Sequence, residues 1–329
     1  MGDAASGPAS AGGPHLGLDL GATNIKWAVV EGEGDDAWRT IDRGQESTRT
    51  AQGPDRVVEQ LTAIARRATA RWPGICSIGV GIPGLYDPAT GAARFLVNMP
   101  GAWADHPVGP PIEAALGLST SLINDARAFG LAELRLGAGR GAQSLVGLTL
   151  GTGVGGVIAI DGHVILGHDG TAGEIGHQVI DPDGPPCGCG NHGCLEAFCR
   201  ADKIAAACGT ATAGAGISAA QAGDQKAIAG LAEIGRLLGI GIGNVVTIIS
   251  PDRVVIGGGN AAAGELLLGP IRDELRRRVL TTPLDEVEIV LAELGTWAGA
   301  IGAAVHGAES AADRTAEASI TTGSASGRR

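Results

Sequence analysis

The sequence predicts an α/β protein of two lobes with a duplicated core. Strand and helix patterns alternate along the chain: residues 54–71 have apolar side chains at helical spacing, and ICSIGVGIPG has the short apolar run of a buried strand. HLGLDLGATNIKWAVVE and SLVGLTLGTGVGGVIAIDGHVI each read as a strand, a glycine-rich turn and a second strand. This repeated layout indicates a duplicated architecture.

The same patterns predict the organisation of the chain. We expect a small N-terminal α/β lobe over residues 15–123, a large α/β lobe over 124–296 and a closing helix over 297–313 that returns to the small lobe. Other helices are expected near 126–136, 224–249 and 263–279, and strands at STSLIND, RVVIGGG and VEIVLA. Polar, Gly/Ser-rich composition predicts disordered tails at 1–14 and 314–329.

Composition excludes several function classes. The net charge is −11 and no Lys/Arg cluster supplies a face that could follow a phosphate backbone, so we expect no nucleic-acid partner. We expect no secretory signal and no membrane span, because the most apolar stretch, 234–249, is interrupted by glycines. A cytoplasmic protein follows, and cysteine clusters in that compartment are more often metal-binding or catalytic than disulfide-bonded.

The first glycine turn, DLGATNIK, contains Asp19, Gly21, Thr23, Asn24 and Lys26. A short Gly/Thr turn presents backbone N–H groups and a hydroxyl, which suit a phosphate. Asp19, at the end of a strand, could hold Mg²⁺ through water. Taken alone, this segment is better explained as an ordinary hairpin turn.

The second turn, LGTGVGG, is the more specific signal. Its glycines within residues 151–156 exceed what a turn requires and allow the backbone to approach an anion closely. It is neither a Walker A loop nor a Rossmann fingerprint. A third cluster, VVIGGGN, follows a strand, where a nucleotide base or ribose could bind, although a structural strand–helix turn remains open. Two phosphate-type turns together favour a nucleotide polyphosphate.

Asn124 and Asp125 of INDARAFG come directly after a strand. Asp125 lies at a plausible helix N-cap, and capping alone would explain it. The functional interpretation is a general base at a strand end that accepts a proton from a substrate hydroxyl during phosphoryl transfer.

The segment CGCGNHGC places Cys187, Cys189 and Cys194 close together, ten residues after GEIGH. Three thiolates need a fourth ligand to form a zinc site. We favour His177 over His192, because His192 lies in a short loop already constrained by its cysteines. Three ordinary thiols are the alternative. The scattered Cys76, Cys199 and Cys208 are expected to be small buried hydrophobic residues.

These motifs together resemble the ROK family of sugar kinases and repressors, and most closely its bacterial glucokinase branch. The resemblance rests on DLGATNIK, GIPG, NDARA, LGTGVGG and, most specifically, GEIGH followed by CGCGNHGCLE. It implies an actin-like ATPase fold (ribonuclease H-like) and ATP-dependent phosphorylation of a hexose, with glucose to glucose 6-phosphate as the first expectation.

The resemblance also implies roles for individual residues. Asp125 corresponds to the catalytic base, and His177 with the three cysteines to a structural zinc site. The implied sugar contacts are Gly84, Asn98, Asn124, Asp125, Glu174, His177 and Glu196. The implied ATP site, where Mg²⁺ accompanies the phosphates, comprises Asp19, Gly21, Thr23, Asn24, Lys26, Gly151, Thr152, Gly153, Gly155, Gly257, Gly258 and Gly259.

One departure from the family pattern concerns the sugar side. Ala102 intervenes between the Pro-Gly pair and Trp103, which leaves the choice of hexose open, with N-acetylmannosamine and fructose as alternatives to glucose. Polyphosphate is an alternative donor. A non-catalytic sugar sensor or a ROK-type repressor is the rival class; the short stretch before Asp19 disfavours a DNA-binding domain. A homodimer or homotetramer is expected.

Overall fold

The computed structural model describes residues 13–33 and 36–326; the predicted N-terminal tail therefore lies mostly outside the described residues, as do residues 327–329. The chain divides into two compact units. The first extends to Arg135 and resumes at Trp297, and the second is Leu136–Thr296. Each unit contains its own hydrophobic core.

The first unit begins with eight strands and three helices. The strands are β1 His15–Leu20, β2 Asn24–Glu33, β3 Asp36–Ser47, β4 Ser77–Ile82, β5 Gly84–Asp87, β6 Ala92–Leu96, β7 His106–Pro107 and β8 Ser119–Asn124. The helices are α1 Pro54–Arg71, α2 Gly109–Leu116 and α3 Asp125–Leu136.

The second unit contains the next strands and helices, after which the chain returns to the first unit. Its strands are β9 Ser144–Leu150, β10 Val154–Ile160, β11 His163–Val164, β12 Arg253–Gly257 and β13 Glu288–Leu291. Its helices are α4 Leu195–Cys199, α5 Ala201–Cys208, α6 Ala213–Gln221, α7 Gln225–Ile249 and α8 Glu265–Arg278. The last helix, α9 Ala298–Ser326, belongs to the first unit.

The two main sheets have the same topology. The first has the order β3-β2-β1-β4-β8 and the second β11-β10-β9-β12-β13. In each, an antiparallel meander of three strands continues into two parallel strands. The duplicated core predicted from the two strand–turn–strand segments is confirmed. A smaller antiparallel sheet, β5-β6-β7, adds to the first unit.

Several predicted elements lie where the pattern placed them. Helix α1 spans Pro54–Arg71 and buries Val57, Leu61 and Ile64, three of the apolar residues at helical spacing. Pro54 begins the helix, a position where its missing N–H costs no hydrogen bond. Strand β3, the small sheet and helices α2, α4, α5 and α6 were not predicted. Strand β3 has only half-buried or exposed residues along most of its length, so its sequence lacks a clear apolar alternation.

Two predicted boundaries differ from the structure. The first unit ends after Arg135, not after residue 123, because α3 packs on α9: a Cβ at Gly302 would overlap the carbonyl of Ala128. Arg135 also forms an ion pair with Glu309 at 2.8 Å. Helix α9 continues to Ser326 where a disordered tail was expected after 313. Arg314, Ala316, Glu317 and Ala318 favour a helix, but the Thr, Ser and Gly residues that follow do not, so helix propensity alone does not account for the extension to Ser326.

Among the described helices, only α7 is long and apolar enough to cross a membrane by length and composition. Half of its most apolar window is buried inside the protein. Leu231, Ile234, Leu238 and Ile242 contribute to the core of the second unit. This burial accounts for the apolar composition of the helix.

Helix α9 lies directly on the first sheet because glycines remove side chains from the contact. Gly17 of β1 and Gly79 of β4 are register neighbours. A Cβ on Gly17 would overlap the carbonyl oxygen of Ala300, and one on Gly79 that of Ala303. The close approach therefore depends on glycine at both strand positions.

We expect Gly79→Ala to destabilise the protein by about 3 kcal/mol, because the added methyl group meets helix backbone, which cannot rotate away as a side chain can. Gly214→Ala in α6 is the matched control. A Cβ there meets nothing within 4 Å, and the change should be neutral or stabilising by less than about 1 kcal/mol. Thermal unfolding followed by circular dichroism measures both. Equal melting temperatures for the two variants would contradict the packing argument.

Candidate functional site

The turn between β1 and β2 has the predicted hairpin form. The N–H of Gly21 donates to the carbonyl of Asn24 at 3.0 Å. Thr48, which sequence analysis did not identify, donates its hydroxyl to the carbonyl of Gly21 at 2.7 Å. Thr23 is exposed at the tip. The turn is thus supported from behind while its tip remains accessible to a ligand.

Asp19 is the acidic group beside this turn. Burial raises the pKa of Asp19 to about 6, and the positive charge of its cross-strand neighbour Lys26 opposes the shift. The start of α9 approaches it closely, since a Cβ at Gly299 would lie 2.7 Å from Asp19 Oδ2. Asp19 therefore offers one poorly solvated carboxylate, which a cation would stabilise in its charged form. This suits Mg²⁺, which is usually held by one or two carboxylates plus substrate phosphates.

Asn124, not Asp125, caps helix α3. Asn124 Oδ1 accepts hydrogen bonds from the backbone N–H groups of Ala126 at 3.0 Å and Arg127 at 3.3 Å. These are the second and third helical positions that an N-cap residue serves. Its Nδ2 donates to the carbonyl of Gly84 at 3.1 Å.

Asp125 therefore lies at the first helical position, and the sequence-based placement of this residue at the N-cap is wrong. Its Oδ1 shares the N–H of Ala126 at 2.9 Å, but the side chain is exposed while its neighbours on both sides are buried. Asn124 therefore performs the N-cap role, while Asp125 adds a negative charge to the first helical turn, where it interacts favourably with the helix dipole. The exposed carboxylate of Asp125 also remains accessible to a ligand.

The predicted sugar-side residues Gly84 and Asn98 lie on neighbouring segments. Gly84 has φ 147°, and a Cβ there would overlap the carbonyl of Phe95, so only glycine fits. Asn98 is exposed with φ 58°, a left-handed conformation that asparagine tolerates better than most residues. Val97 donates its N–H to the carbonyl of Pro83 at 2.7 Å, which ties the two segments together.

Trp103 is part of the core of the first unit. It is 4% exposed, and its indole N–H donates to the carbonyl of Pro100 at 3.2 Å. The ring also makes an edge contact with His106, with centroids 5.5 Å apart. Trp103 thus stabilises the loop after Asn98 from inside, despite the intervening Ala102.

In the second unit, residues 151–156 form the turn between β9 and β10. Gly151 donates its N–H to the carbonyl of Gly153 at 3.0 Å. Within the described chain, no hydrogen bond uses the N–H groups of Thr152 or Gly153. Two adjacent N–H groups at the accessible tip of a turn are suited to an anion.

The third glycine cluster supports this turn. Gly258 has φ 84°, and a Cβ there would overlap the backbone of Leu150. Asn260, which was quoted in the motif but not predicted as a site residue, donates its Nδ2 to the carbonyl of Gly151 at 3.1 Å. The N–H of Ala201 donates to the same carbonyl at 3.1 Å. An asparagine directly after a glycine run was the available signal for Asn260.

The GEIGH segment packs against the first residues of β10. Its last three residues form a 3₁₀ turn, Ile175–His177. A Cβ at Gly176 would overlap the carbonyl of Val154, and one at Gly156 would overlap that of Gly173. Glu174 is exposed, and its carbonyl accepts the N–H of His177 at 3.0 Å. The two segments thus approach each other through glycine.

Four predicted ligands converge at one point: His177, Cys187, Cys189 and Cys194. One ligand atom from each lies within 4.8 Å of the other three. Cys187 Sγ is 3.6 Å from His177 Nδ1, and Cys189 Sγ is 3.7 Å from Cys194 Sγ. Ligands about 2.0–2.3 Å from a tetrahedral zinc ion lie about 3.5–3.8 Å apart, so the Cys₃His donor set fits such an ion.

The backbone of the cysteine segment forms a compact loop. Cys187 donates its N–H to the carbonyl of Asn191 at 2.8 Å, and Gly193 donates to Pro185 at 2.8 Å. Gly193 has φ 68°, and a Cβ there would overlap the carbonyl of Asp181. Burial raises the pKa of the Cys194 thiol to about 12, so a cation is needed to hold this group as a thiolate. His192 is exposed and lies outside the cluster.

Glu196 lies between the cysteine cluster and the glycine turn. Its Oε2 accepts the N–H of Val154 at 2.9 Å, and its Oε1 is 3.9 Å from Cys187 Sγ. It occupies the first turn of α4, two residues after Cys194. Val154 was not identified from sequence, because a backbone N–H carries no side-chain signal.

Each unit thus gathers its own part of the predicted site. The first unit contains the Asp19 turn and, on other segments, Gly84, Asn98, Asn124 and Asp125. The second unit brings the Gly151 turn, the Gly257 cluster, GEIGH and the cysteine segment into contact with one another. The second unit offers a turn suited to an anion beside a cluster suited to a metal ion, and the first unit offers exposed and half-buried carboxylates.

Comparison with known proteins gives consistent matches. The sequence profile of the ROK family matches residues 15–308. The chain is 33% identical over 312 residues to the glucokinase of Halalkalibacterium halodurans, covering 88% of this chain and 93% of that protein. The crystal structure of the ROK hexokinase from Thermus thermophilus aligns with a TM-score of 0.80 at 35% identity, covering 91% of this chain and 99% of that chain.

A ROK family glucokinase from Streptomyces griseus, solved in complex with glucose and AMPPNP, aligns with a TM-score of 0.73 at 30% identity. It covers 90% of this chain and 100% of that chain. The fold is thus the predicted actin-like ATPase fold with a duplicated core. Because the profile match extends over nearly all of the described residues, the chain belongs to the ROK family.

Proposed function

We propose that the protein phosphorylates a hexose with ATP, converting glucose to glucose 6-phosphate, with Asp125 as general base. The observation that carries this proposal is the capping of α3 by Asn124, which leaves an exposed carboxylate at the adjacent position. Two similar proteins support this substrate class. One is the glucokinase of Halalkalibacterium halodurans, and the other is the Streptomyces griseus glucokinase solved with glucose and AMPPNP.

In the proposed reaction the sugar hydroxyl attacks the γ-phosphorus of ATP, its proton passes to Asp125, and ADP leaves. Little covalent chemistry is required of the protein, so positioning and charge stabilisation provide most of the rate enhancement. Asn124 positions the base, because its own oxygen is engaged by two backbone N–H groups while its amide is tied to Gly84.

The proposed sugar contacts are Gly84, Asn98, Asn124, Glu174, His177 and Glu196, with Asp125. Hydroxyl groups of a hexose require both donors and acceptors, which this set supplies. An epimer that leaves one of these groups unpaired can be rejected by about 10⁴-fold where the site is built to bind that hydroxyl. Asn98 has a left-handed backbone conformation, and the loop that follows it is held by the buried Trp103. These two features support a sugar-binding loop that is already formed before the sugar binds.

For the nucleotide, we assign the phosphates to the Gly21 and Gly151 turns and the adenosine to Gly257, Gly258 and Gly259. The accessible N–H groups of Thr152 and Gly153 support the phosphate assignment. Mg²⁺, held near Asp19, would neutralise phosphate charge when bound. Lys26, beside Asp19, adds a positive charge on the same turn.

For the Cys₃His cluster, we propose zinc with a structural role. All four positions of a tetrahedral ion are taken by protein ligands, which leaves none open to activate water. The ion would fix the orientation of its ligand His177 and of Glu196, which lies against the ligand Cys187. Both residues are proposed sugar contacts. Thiolate ligands persist in a reducing compartment, so we place the protein in the cytoplasm. We further propose that it assembles as a homodimer or a homotetramer.

A coupled assay tests the proposal with glucose, mannose, fructose, galactose and N-acetylmannosamine, each with ATP or polyphosphate. We expect the highest kcat/KM with glucose and ATP. A higher kcat/KM for another hexose, or for polyphosphate, would change the assigned substrate or phosphate donor but would leave the proposed reaction class, phosphorylation of a hexose, unchanged. If no sugar is phosphorylated while calorimetry detects hexose binding, the protein is a sugar sensor and the kinase proposal is wrong.

A further inference from the structure

The glycine turn of the second unit is anchored at both ends by hydrogen bonds with residues distant in the sequence. At its start, the carbonyl of Gly151 accepts hydrogen bonds from Asn260 and from the N–H of Ala201. At its end, the N–H of Val154 donates to Glu196. The turn itself contains mainly glycine, which has the largest conformational freedom of any residue. Its conformation therefore depends on these anchors.

The carboxylate of Glu196 contacts two neighbouring residues of the turn, Gly153 and Val154. Its Oε2 lies 2.9 Å from Val154 N, and a Cβ on Gly153 would overlap this oxygen. The carboxylate thus lies directly against residues 153 and 154. Because it accepts the Val154 N–H, it orients this peptide and leaves the N–H groups of Thr152 and Gly153 available at the tip.

The position of Glu196 depends in turn on the cysteine cluster. Glu196 belongs to α4, which has only five residues and cannot be stable by itself. Cys194 immediately precedes this helix and is fully buried in the cluster. Cys187 Sγ lies 3.9 Å from the other carboxylate oxygen. A metal ion bound to His177 and the three cysteines would hold α4, and with it the carboxylate.

We propose that Glu196 is a positioning residue for the phosphate-binding turn, through which occupancy of the Cys₃His cluster increases affinity for the nucleotide. This role rests on the proposed function and goes beyond the sugar contact assigned to Glu196 above. A sugar contact alone requires no hydrogen bond to Val154. Within the second unit, the Glu196 carboxylate contacts both Cys187 of the cysteine cluster and Val154 of the turn, and neither contact requires a bound sugar.

Binding of AMPPNP with Mg²⁺ in the absence of sugar, measured by calorimetry, tests the inference. We expect Glu196→Ala to weaken binding by about tenfold, because a hydrogen bond to a charged acceptor is lost. Glu196→Gln retains an oxygen that can accept the Val154 N–H and should recover most of the affinity. Removal of the metal with a chelator should weaken AMPPNP binding by a similar factor.

His192→Ala is the matched control, because this side chain is exposed in the same loop and lies outside the cluster. It should bind AMPPNP and metal as the unaltered protein does. If Glu196→Ala binds AMPPNP normally and loses only hexose affinity, Glu196 is a sugar contact alone and the inference is wrong. If the unaltered protein does not bind AMPPNP, the proposed kinase function itself fails, which is a separate outcome.

Amide hydrogen exchange at Val154, followed by NMR, gives a second measurement that needs no nucleotide. Exchange should be slow in the metal-loaded protein and in Glu196→Gln, and faster in Glu196→Ala and after chelation. Slow exchange in all four samples would show that Glu196 does not hold the turn and would overturn the inference. This result is independent of the proposed function.

Discussion

Asp125→Asn is expected to lower kcat by about 10²–10⁴-fold, the usual contribution of a general base, while hexose affinity changes little. The amide keeps the shape and can still accept a hydrogen bond, but it cannot take the hydroxyl proton. Steady-state kinetics and calorimetric hexose binding measure the two effects separately. The fold should persist, because Asn124 and not Asp125 caps α3.

Asp285→Asn is the control for loss of one negative charge, since Asp285 is exposed on a short 3₁₀ turn of the second unit, outside the proposed site. Its kcat should equal that of the unaltered protein. If Asp125→Asn binds hexose and retains near-normal kcat, then Asp125 is not the base.

The second large effect is expected on metal binding, when one of the four proposed ligands is replaced. We expect Cys189→Ser to lower metal affinity by more than about 100-fold, because even residues that only support a ligand contribute about 10- to 100-fold. Cys189 is exposed, so the substitution leaves no cavity in the core. Elemental analysis after dialysis measures the metal. Hexose affinity should fall with it, since His177 and Glu196 lose their support.

The pair His177→Ala and His192→Ala tests which histidine completes the cluster. Only His177→Ala should lose the metal, because its Nδ1 lies 3.6 Å from Cys187 Sγ whereas His192 lies outside the cluster. Cys76→Ser controls for loss of a thiol elsewhere and should retain one equivalent. If Cys189→Ser retains both metal and hexose affinity, the zinc assignment is wrong.

Local patterns were sufficient for a large part of the fold. Helix α1 has the predicted bounds because its apolar residues repeat at helical spacing and Pro54 marks its start. The β1–β2 and β9–β10 hairpins follow from strand runs around glycine turns. Strand β3 was missed because its residues are largely polar; it forms through pairing with β2 rather than through its own sequence.

For the site, neighbouring residues with similar propensities could not be separated from sequence. Both Asn124 and Asp125 are good N-cap residues, so the pattern alone did not show which one caps α3. The distinction depends on the hydrogen bond from Asn124 to Gly84, forty residues earlier in the chain. Similarly, nothing at residues 102–103 showed that Trp103 supports its loop from the core.

The sequence alone was enough to predict the cysteine cluster and His177 as a candidate metal-ligand set, because three thiols within eight positions and a nearby histidine are local features. It also contained the two glycine turns and the duplicated arrangement of strands. It could not show that Glu196 reaches the N–H of Val154, since the two residues are 42 positions apart. Contacts over such separations depend on how α4 and β10 pack, and this packing exists only in the folded chain.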